Sequence, residues 1–341
     1  MPVDRFLVVG LGSIGVRHAR VLRHLRPEAR IAALRSRPCG DALPDGIDDC
    51  FGSVEAAAVF GAQAAVVASP SPFHLETSLA LARAGVHLLI EKPLSTSTTH
   101  VEDLLRVCRE HGRVLTVGYN LRFSPSLQYF RDVLRARGVG RVLSVRAEVG
   151  QYLPSWRPAS DYRRSVSARA SLGGGVLLEL SHELDYLQWL FGAVQWVSAT
   201  SLRQSDLDID VEDTVHVTLG FEKSGSSAPV VAQLNMDFVR HDTVRSCTVI
   251  GELGTLRWNA VTGVVERFDP GAREWVLMFS CATDRDEGYR SEWEAFLRAI
   301  EEGAPVAVTG EDAHQVLRVI EAARESASSH QTVRLSVGAD Q

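Results

Sequence analysis

Gly10-Leu11-Gly12-Ser13-Ile14-Gly15 constrains this chain more than any other stretch. It follows the apolar run Phe6–Val9 and precedes a helical pattern over Val16–Leu25. A buried strand that runs through three glycines into a helix is how a dinucleotide-binding βαβ unit opens. The first glycine permits a tight turn. The second lets the backbone approach a pyrophosphate, and the third lets helix and strand pack closely. Free N–H groups and a partial positive charge at the helix N-terminus then face the phosphates. The competing account is an ordinary tight turn that opens a helix.

The chain has 341 residues, enough for two domains and a sizeable core. Residues 1–120 alternate short apolar runs with helical patterns. Phe6–Val9, Ile31–Leu34, Ala64–Ala68, His87–Ile90 and Val114–Val117 read as strands, with helices over Pro72–Ala84 and Thr98–Glu110. That alternation predicts a Rossmann-type α/β domain, a parallel sheet with helices on both faces. The pattern then changes. Arg141–Gly150, Trp196–Arg203, Val211–Phe221, Val230–Phe238, Val244–Ile250, Thr255–Trp258 and Val264–Phe268 are mostly consecutive β-like runs. They predict an α+β domain over residues 121–341 with a large, mostly antiparallel, open-faced sheet. One face of that sheet is available for a partner subunit. The helices Tyr289–Glu301 and Asp312–Ser326 are expected to pack back on the first domain. A site is expected between the two domains.

Composition narrows the function. Net charge is −6 with both signs interspersed, which implies no nucleic-acid face. Arg17, Arg20, Arg23 and Arg26 cluster on the first helix and read as a solvated face. The five cysteines are far apart and odd in number, which argues against a disulfide framework or a metal site and fits a reducing cytoplasm. The N-terminus lacks signal-peptide character, and no apolar run approaches the ~18 residues of a membrane span.

In this fold an acidic residue about 20 positions past the glycines bonds the adenosine ribose. Here the second strand ends at Leu34 and runs into Arg35-Ser36-Arg37. Two arginines and a serine suit a 2′-phosphate, which points to NADP over NAD. A second signal is Glu91-Lys92-Pro93, directly after the strand His87–Ile90. Proline biases its predecessor toward extended geometry and places Lys92 at the carboxyl end of a parallel strand, where ligands bind. A lysine there is placed to exchange a proton while a nicotinamide exchanges hydride with the adjacent carbon. The bland alternative is a surface lysine beside a turn.

Taken together these motifs resemble the Gfo/Idh/MocA oxidoreductase family, which includes glucose–fructose oxidoreductase and inositol dehydrogenase. The resemblance covers essentially the whole chain. It rests on Gly10–Gly15, Ser69-Pro70-Ser71-Pro72-Phe73-His74, Glu91-Lys92-Pro93-Leu94 and Val117-Gly118-Tyr119-Asn120-Leu121-Arg122-Phe123. Gly173-Gly174-Gly175 followed by Glu179 and His182 continues it, and the ending around Tyr289–Ile300 and Thr309–Ser326 completes it. The resemblance implies that Lys92 is the catalytic lysine. It implies that Ser69, Pro70, Ser71 and His74 lie along the nicotinamide and its ribose, and that Asn120 and Arg122 border cofactor and substrate. It also implies a homodimer or homotetramer through the second-domain sheet.

Glu179, His182, Tyr186 and Trp189 fall on one face if Gly173–Phe191 is read as a single helix. A carboxylate beside a histidine fixes its tautomer, which makes Glu179 and His182 a candidate acid/base unit. The family's dehydrogenases usually carry Asp with His four residues later. Glu179 and a spacing of three depart from that pattern. Tyr152, Trp156, Arg157 and Tyr162 lie in a loop rich in aromatics and arginines that suits a sugar ring, particularly one bearing a carboxylate or phosphate. The reading that results is an NAD(P)-dependent oxidoreductase acting on a sugar, sugar nucleotide or cyclitol. Alternatives are a redox-neutral epimerase or glycoside-cleaving enzyme with bound cofactor, and a non-catalytic dinucleotide-binding regulator.

Overall fold

The structure is a computed structural model that describes residues 2–35, 43–222, 229–282 and 284–335. The elements run β1 (Arg5–Val9), α1 (Ser13–Leu25), β2 (Arg30–Leu34), β3 (Asp49–Phe51), α2 (Val54–Phe60) and β4 (Ala64–Val67). Then come α3 (His74–Arg83), β5 (His87–Ile90), α4 (Val101–Glu110), β6 (Leu115–Val117) and α5 (Pro125–Arg135). β7 (Val142–Gly150), α6 (Val176–Glu179) and α7 (His182–Phe191) follow. Seven strands come next: β8 (Val194–Leu202), β9 (Thr214–Phe221), β10 (Val231–Asp237), β11 (Val244–Gly251), β12 (Gly254–Asn259), β13 (Val264–Asp269) and β14 (Glu274–Ser280). The chain ends with α8 (Glu287–Glu301), α9 (Gly310–Ser329) and β15 (Val333–Arg334).

The chain forms two compact units. The first comprises residues up to Asn120 together with Arg285–Leu317. Among the described residues its six strands are all parallel, in the order β3-β2-β1-β4-β5-β6. This is the doubly wound order, in which ligands bind beyond the carboxyl ends of the strands. Apart from the half-buried β3, the strands are buried on both faces, which is why they read as unbroken apolar runs rather than alternating ones. On α1 the buried positions Gly15, His18, Ala19 and Leu22 recur at helical spacing. Helix α8 adds Trp293, Phe296 and Leu297 to the same core, where they meet Phe6, Val8, Leu22, Ile31 and Leu89. The Trp293 ring stands edge-on to Phe6 at 5.9 Å.

Two expectations about this unit need amending. The arginines on and just after α1 are ion-paired rather than simply solvated: Arg23 with Asp48, Arg26 with Glu301, and Arg17 and Arg20 with Asp286. Cys50 is disulfide-bonded, which the cysteine spacing gave no sign of, while Cys108, Cys247 and Cys281 are free thiols.

The second unit comprises Leu121–Asp284 and the chain from Arg318 onward. Among the described residues its nine strands run β14-β13-β12-β11-β7-β10-β9-β8-β15. Every pairing is antiparallel except β7 with β10. Burial along β10 alternates residue by residue, so one face of the sheet is covered and the other is open. Ala232, Leu234 and Met236 are on the covered face, and Gln233 and Asn235 are exposed. Helices α5 and α7 pack on the covered face. Trp258 of β12 donates its indole N–H to Ser126 Oγ on α5 at 2.9 Å, and its ring meets Tyr186 of α7 at 5.4 Å. Among the described residues no helix is long and apolar enough to cross a membrane.

Candidate functional site

The glycine turn has the geometry its composition demands. Gly10 has φ +88°, and a Cβ there would stand 2.9 Å from the Ala68 carbonyl oxygen and the Ser69 amide nitrogen. A Cβ on Gly15 would overlap the Gly10 carbonyl oxygen, so only glycine lets α1 start this close to β1. At Gly12 a Cβ would meet no atom within 4 Å. Gly12 is also the N-cap of α1, with no side-chain cap and no acidic residue in the first turn. Ser13 and Ile14 are the first two helical residues. Their amides, an open approach and the helix dipole make a cradle for an anionic group.

The loop after β4 adds further donors. The hydroxyls of Ser69 and Ser71 are buried and have no hydrogen-bond partner among the described residues. Uncapped amides and two orphaned hydroxyls fit a dinucleotide laid across the carboxyl ends of the parallel strands. His74 serves the loop itself. It is fully buried, with Nε2 2.7 Å from the Ser69 carbonyl oxygen and Nδ1 3.0 Å from that of Pro93. Burial holds its pKa below the ordinary histidine value against the pull of those carbonyls. His74 thus ties the loop carrying Ser69 and Pro70 to the residue after Lys92.

Glu91 and Lys92 follow β5 directly, and the Lys92–Pro93 peptide is cis. The Glu91 carboxylate is almost fully buried. Its Oε2 accepts the Lys92 backbone N–H at 3.1 Å, and its Oε1 lies 2.9 Å from His18 Nε2. Burial pushes its pKa up, but the His18 hydrogen bond and the nearby Lys92 charge outweigh that and hold it below the usual carboxylate value. Gly118 leaves room for this carboxylate: a Cβ there would stand 3.1 Å from Glu91 Oε2. Asn120 is half-buried, and its carbonyl faces Gly288. Arg35 is half-buried at the end of β2 and donates its backbone N–H to the Phe51 carbonyl. Ser36 and Arg37 lie outside the described residues.

In the second unit the single helix expected over Glu179 and His182 is two helices. α6 ends at Glu179, Leu180 and Ser181 form a turn, and α7 starts at His182. The i, i+3 argument for their side chains therefore lapses. Glu179 Oε2 accepts a hydrogen bond from Ser167 Oγ at 2.8 Å. Both Glu179 and His182 are half-buried. Tyr186, expected on the same face, is fully buried, and burial raises its hydroxyl pKa well above the ordinary value.

Arg122 turns into the unit's own core. Its guanidinium makes a forked ion pair with Asp185 of α7, with Nη2–Oδ1 at 2.6 Å and Nε–Oδ2 at 3.0 Å. Trp189 carries Arg131 over its ring at 4.1 Å and Arg122 at 5.9 Å. In the loop after β7, Tyr152 lies 4.2 Å from the His241 ring. Trp156 donates its indole N–H to the Gln151 carbonyl and stands edge-on to Phe238. The Tyr162 hydroxyl accepts the Asp208 N–H at 3.2 Å, and Arg157 is exposed. The aromatics are fixed, and Arg157 offers a solvent-facing cation.

Residues the sequence reading passed over include His18, Glu292 and Trp293, all fully buried in the first unit. The available signal was a histidine at position 18 within the apolar stripe of α1.

Comparison with known proteins agrees with this layout. Residues 5–119 match the profile of an oxidoreductase family's NAD-binding Rossmann fold, and residues 131–335 match that family's C-terminal alpha/beta domain, the family being GFO_IDH_MocA. An inositol 2-dehydrogenase from Saccharopolyspora erythraea is 28% identical over 97% of this chain and 95% of its own. A myo-inositol dehydrogenase from Streptomyces leeuwenhoekii is 30% identical over 94% of this chain and 97% of its own. Among solved structures, GenD2 from gentamicin A biosynthesis, in complex with NAD, superposes with a TM-score of 0.80 at 25% identity, covering 99% of this chain and 98% of that one.

Proposed function

The chain belongs to the Gfo/Idh/MocA family of NAD(P)-binding oxidoreductases, and within it we propose an enzyme that interconverts a CH–OH group and a carbonyl on a sugar, sugar nucleotide or cyclitol. The observation that carries this reading is Lys92, set at the carboxyl end of β5 in the same sheet as the uncapped glycine turn of α1. The dehydrogenase names of relatives that span nearly the whole chain support it.

The residues divide the work as follows. Gly12, Ser13 and Ile14 hold the pyrophosphate with backbone amides, and Ser69 and Ser71 offer hydroxyls to the nicotinamide end. When bound, the nicotinamide supplies hydride exchange. Lys92 Nζ takes the hydroxyl proton in the oxidising direction and returns it in the reducing one. In the second unit His182, with Glu179, is the second candidate acid/base of the reaction. Tyr152, Trp156, Arg157 and Tyr162 form the sugar-facing wall, with Arg157 suited to an acidic substituent. Arg35 at the end of β2, where an acidic residue would favour NAD, supports a preference for NADP. The second unit's sheet is the proposed surface of a homodimer or homotetramer. Its outer strand β14 exposes Trp275, Val276, Leu277 and Met278, which favours burial against another copy.

The test is a screen of cyclitols, sugars and sugar nucleotides with both cofactors, read by nicotinamide absorbance near ~340 nm. Lys92→Ala should lower kcat by about 10²–10⁴-fold, the usual worth of a positioned acid/base. Full turnover in Lys92→Ala overturns the assignment. Product formed without net cofactor change would favour the redox-neutral alternative.

A further inference from the structure

A buried polar cluster beneath Lys92 takes no part in the steps above. Its members come from three separate stretches: His18 on α1, Glu91 after β5, and Glu292 and Trp293 on α8. All four are at most 9% exposed. Burying four polar side chains together is costly unless their hydrogen bonds are specified.

The bonds are specified in direction. An indole N–H can only donate. Trp293 Nε1 lies 2.9 Å from His18 Nδ1, so Nδ1 is the acceptor. The proton of the neutral ring is then on Nε2, which lies 2.9 Å from Glu91 Oε1 and donates to it. Glu91 Oε2 accepts the Lys92 backbone N–H. Donors therefore converge on the Glu91 carboxylate: the indole acts through the imidazole on Oε1, and the Lys92 backbone N–H binds Oε2. A second proton on His18 Nδ1 would break the indole bond and leave two donors facing each other.

Glu292 completes the arrangement. Neither of its carboxyl oxygens has a hydrogen-bond partner among the described residues. Burial, and then the Glu91 charge, raise its pKa well above the carboxylate range, so it is the neutral member and Glu91 the charged one. The other groups facing the cluster are Lys92, His74, Arg17 and Tyr289. Arg17 stands over the Tyr289 ring at 5.1 Å, and burial pushes the Tyr289 hydroxyl up to about 12.

We propose that Trp293, His18 and Glu91 form a directed hydrogen-bond relay that fixes the Glu91 carboxylate and through it positions Lys92, with His18 locked in its Nε2–H tautomer by the indole of α8. Trp293 and His18 are positioning residues, and their effect on the reaction rests on Lys92 acting in proton transfer. The relay explains why α8, distant in sequence, must dock on the Rossmann core for the strand-end lysine to be held.

Two measurements on the full chain need no substrate. Histidine ¹⁵N shifts, with His18 assigned through His18→Gln, should show the Nε2–H tautomer at neutral pH. Hydrogen exchange at the Lys92 amide should be slow. Trp293→Phe keeps the ring and removes the N–H. It should abolish the tautomer bias and speed Lys92 exchange by about tenfold, the equivalent of one hydrogen bond. His18→Leu should do the same to Lys92, and His18→Gln, whose amide can accept and donate in turn, should restore slow exchange. An Nδ1–H or mixed tautomer in the unaltered protein overturns the relay, as does a folded Trp293→Phe with unchanged tautomer and exchange. The unaltered protein's tautomer decides even if a variant fails to fold. With a substrate in hand, His18→Leu should lower kcat by about tenfold and leave NADPH affinity unchanged. Absence of turnover on every substrate, with the relay intact, would count against the reading of Lys92 alone.

Discussion

Removing Asp185 should strongly destabilise the second unit. Arg122 and Asp185 have side chains only 7% and 1% exposed, and three N–O contacts of 2.6, 3.0 and 3.2 Å join them. An exposed pair would contribute less than about 1 kcal/mol. A buried pair behaves differently. Each partner has already lost its hydration, so deleting one removes a compensating charge that water cannot readily replace, at a cost of about 3–5 kcal/mol. For a unit of this size that corresponds to roughly 6–20 °C in the melting midpoint. Asp185→Ala should therefore shift the urea transition of the second unit, followed by tryptophan fluorescence, by that free energy. The double change Asp185→Leu with Arg122→Met should recover most of the loss, because it removes both charges of the pair together. A single-variant cost below about 1 kcal/mol refutes the reasoning, as does a double variant as unstable as the single. The same experiment bears on function. If Arg122→Met raised KM for a sugar substrate at unchanged stability, Arg122 would belong to the substrate site rather than to the core.

Gly12→Ala and Gly15→Ala should separate binding from folding. The first meets empty space, so stability should hold within about 0.5 kcal/mol while NADPH affinity falls about tenfold or more by calorimetry. The second collides with the Gly10 carbonyl and should cost both stability and binding. Glu292 makes stability fall as pH rises. Its carboxyl stays protonated in the folded chain and ionises in the unfolded one above pH ~4.5, a slope of about 1.4 kcal/mol per pH unit. Glu292→Gln should remove that slope, so its stability gain in denaturant titrations should be greatest at alkaline pH and vanish near pH 4. His87, half-buried and accepting the Val114 N–H, has its pKa lowered to about 4 by burial and by Arg113. It stays neutral in the folded chain while its unfolded counterpart protonates below ~6.5, so it should contribute to loss of stability between pH 6.5 and 4. His87→Asn should flatten that limb, and an NMR titration that finds His87 charged at pH 6 would refute the account.

Much of the first unit was legible because parallel strands buried on both faces leave unbroken apolar runs. His87–Ile90 was read to the residue, and Phe6–Val9 and Ile31–Leu34 within one. Strand β3, at Asp49–Phe51, escaped because it is short and only half-buried, so neither a run nor an alternation marks it. β14 escaped for the opposite reason. Its apolar residues face outward in the isolated chain, and no burial pattern within this chain explains them. The helix break at Leu180–Ser181 was invisible because all the residues around it suit a helix, and no glycine or proline marks the interruption. Periodicity there reports which residues prefer the interior. It does not report where the backbone pauses.

The chemistry was legible in the same uneven way, and the reason is physical. A glycine turn or a Lys-Pro step is written locally, because backbone sterics act between neighbours in sequence. A hydrogen-bond direction is not. His18 and Trp293 are separated by 275 positions and meet through the packing of α8 against α1 and Phe6 of β1. No spacing rule relates them, and each alone reads as core. Yet the indole proton fixes the imidazole tautomer, the tautomer makes Nε2 the donor to the Glu91 carboxylate, and that carboxylate accepts the backbone N–H of Lys92. The local motif thus names the lysine, while a contact distant in sequence sets how firmly it is held. This is why Trp293→Phe, a change in a helix with no motif of its own, is a sharper test of the site than another substitution in the glycine turn.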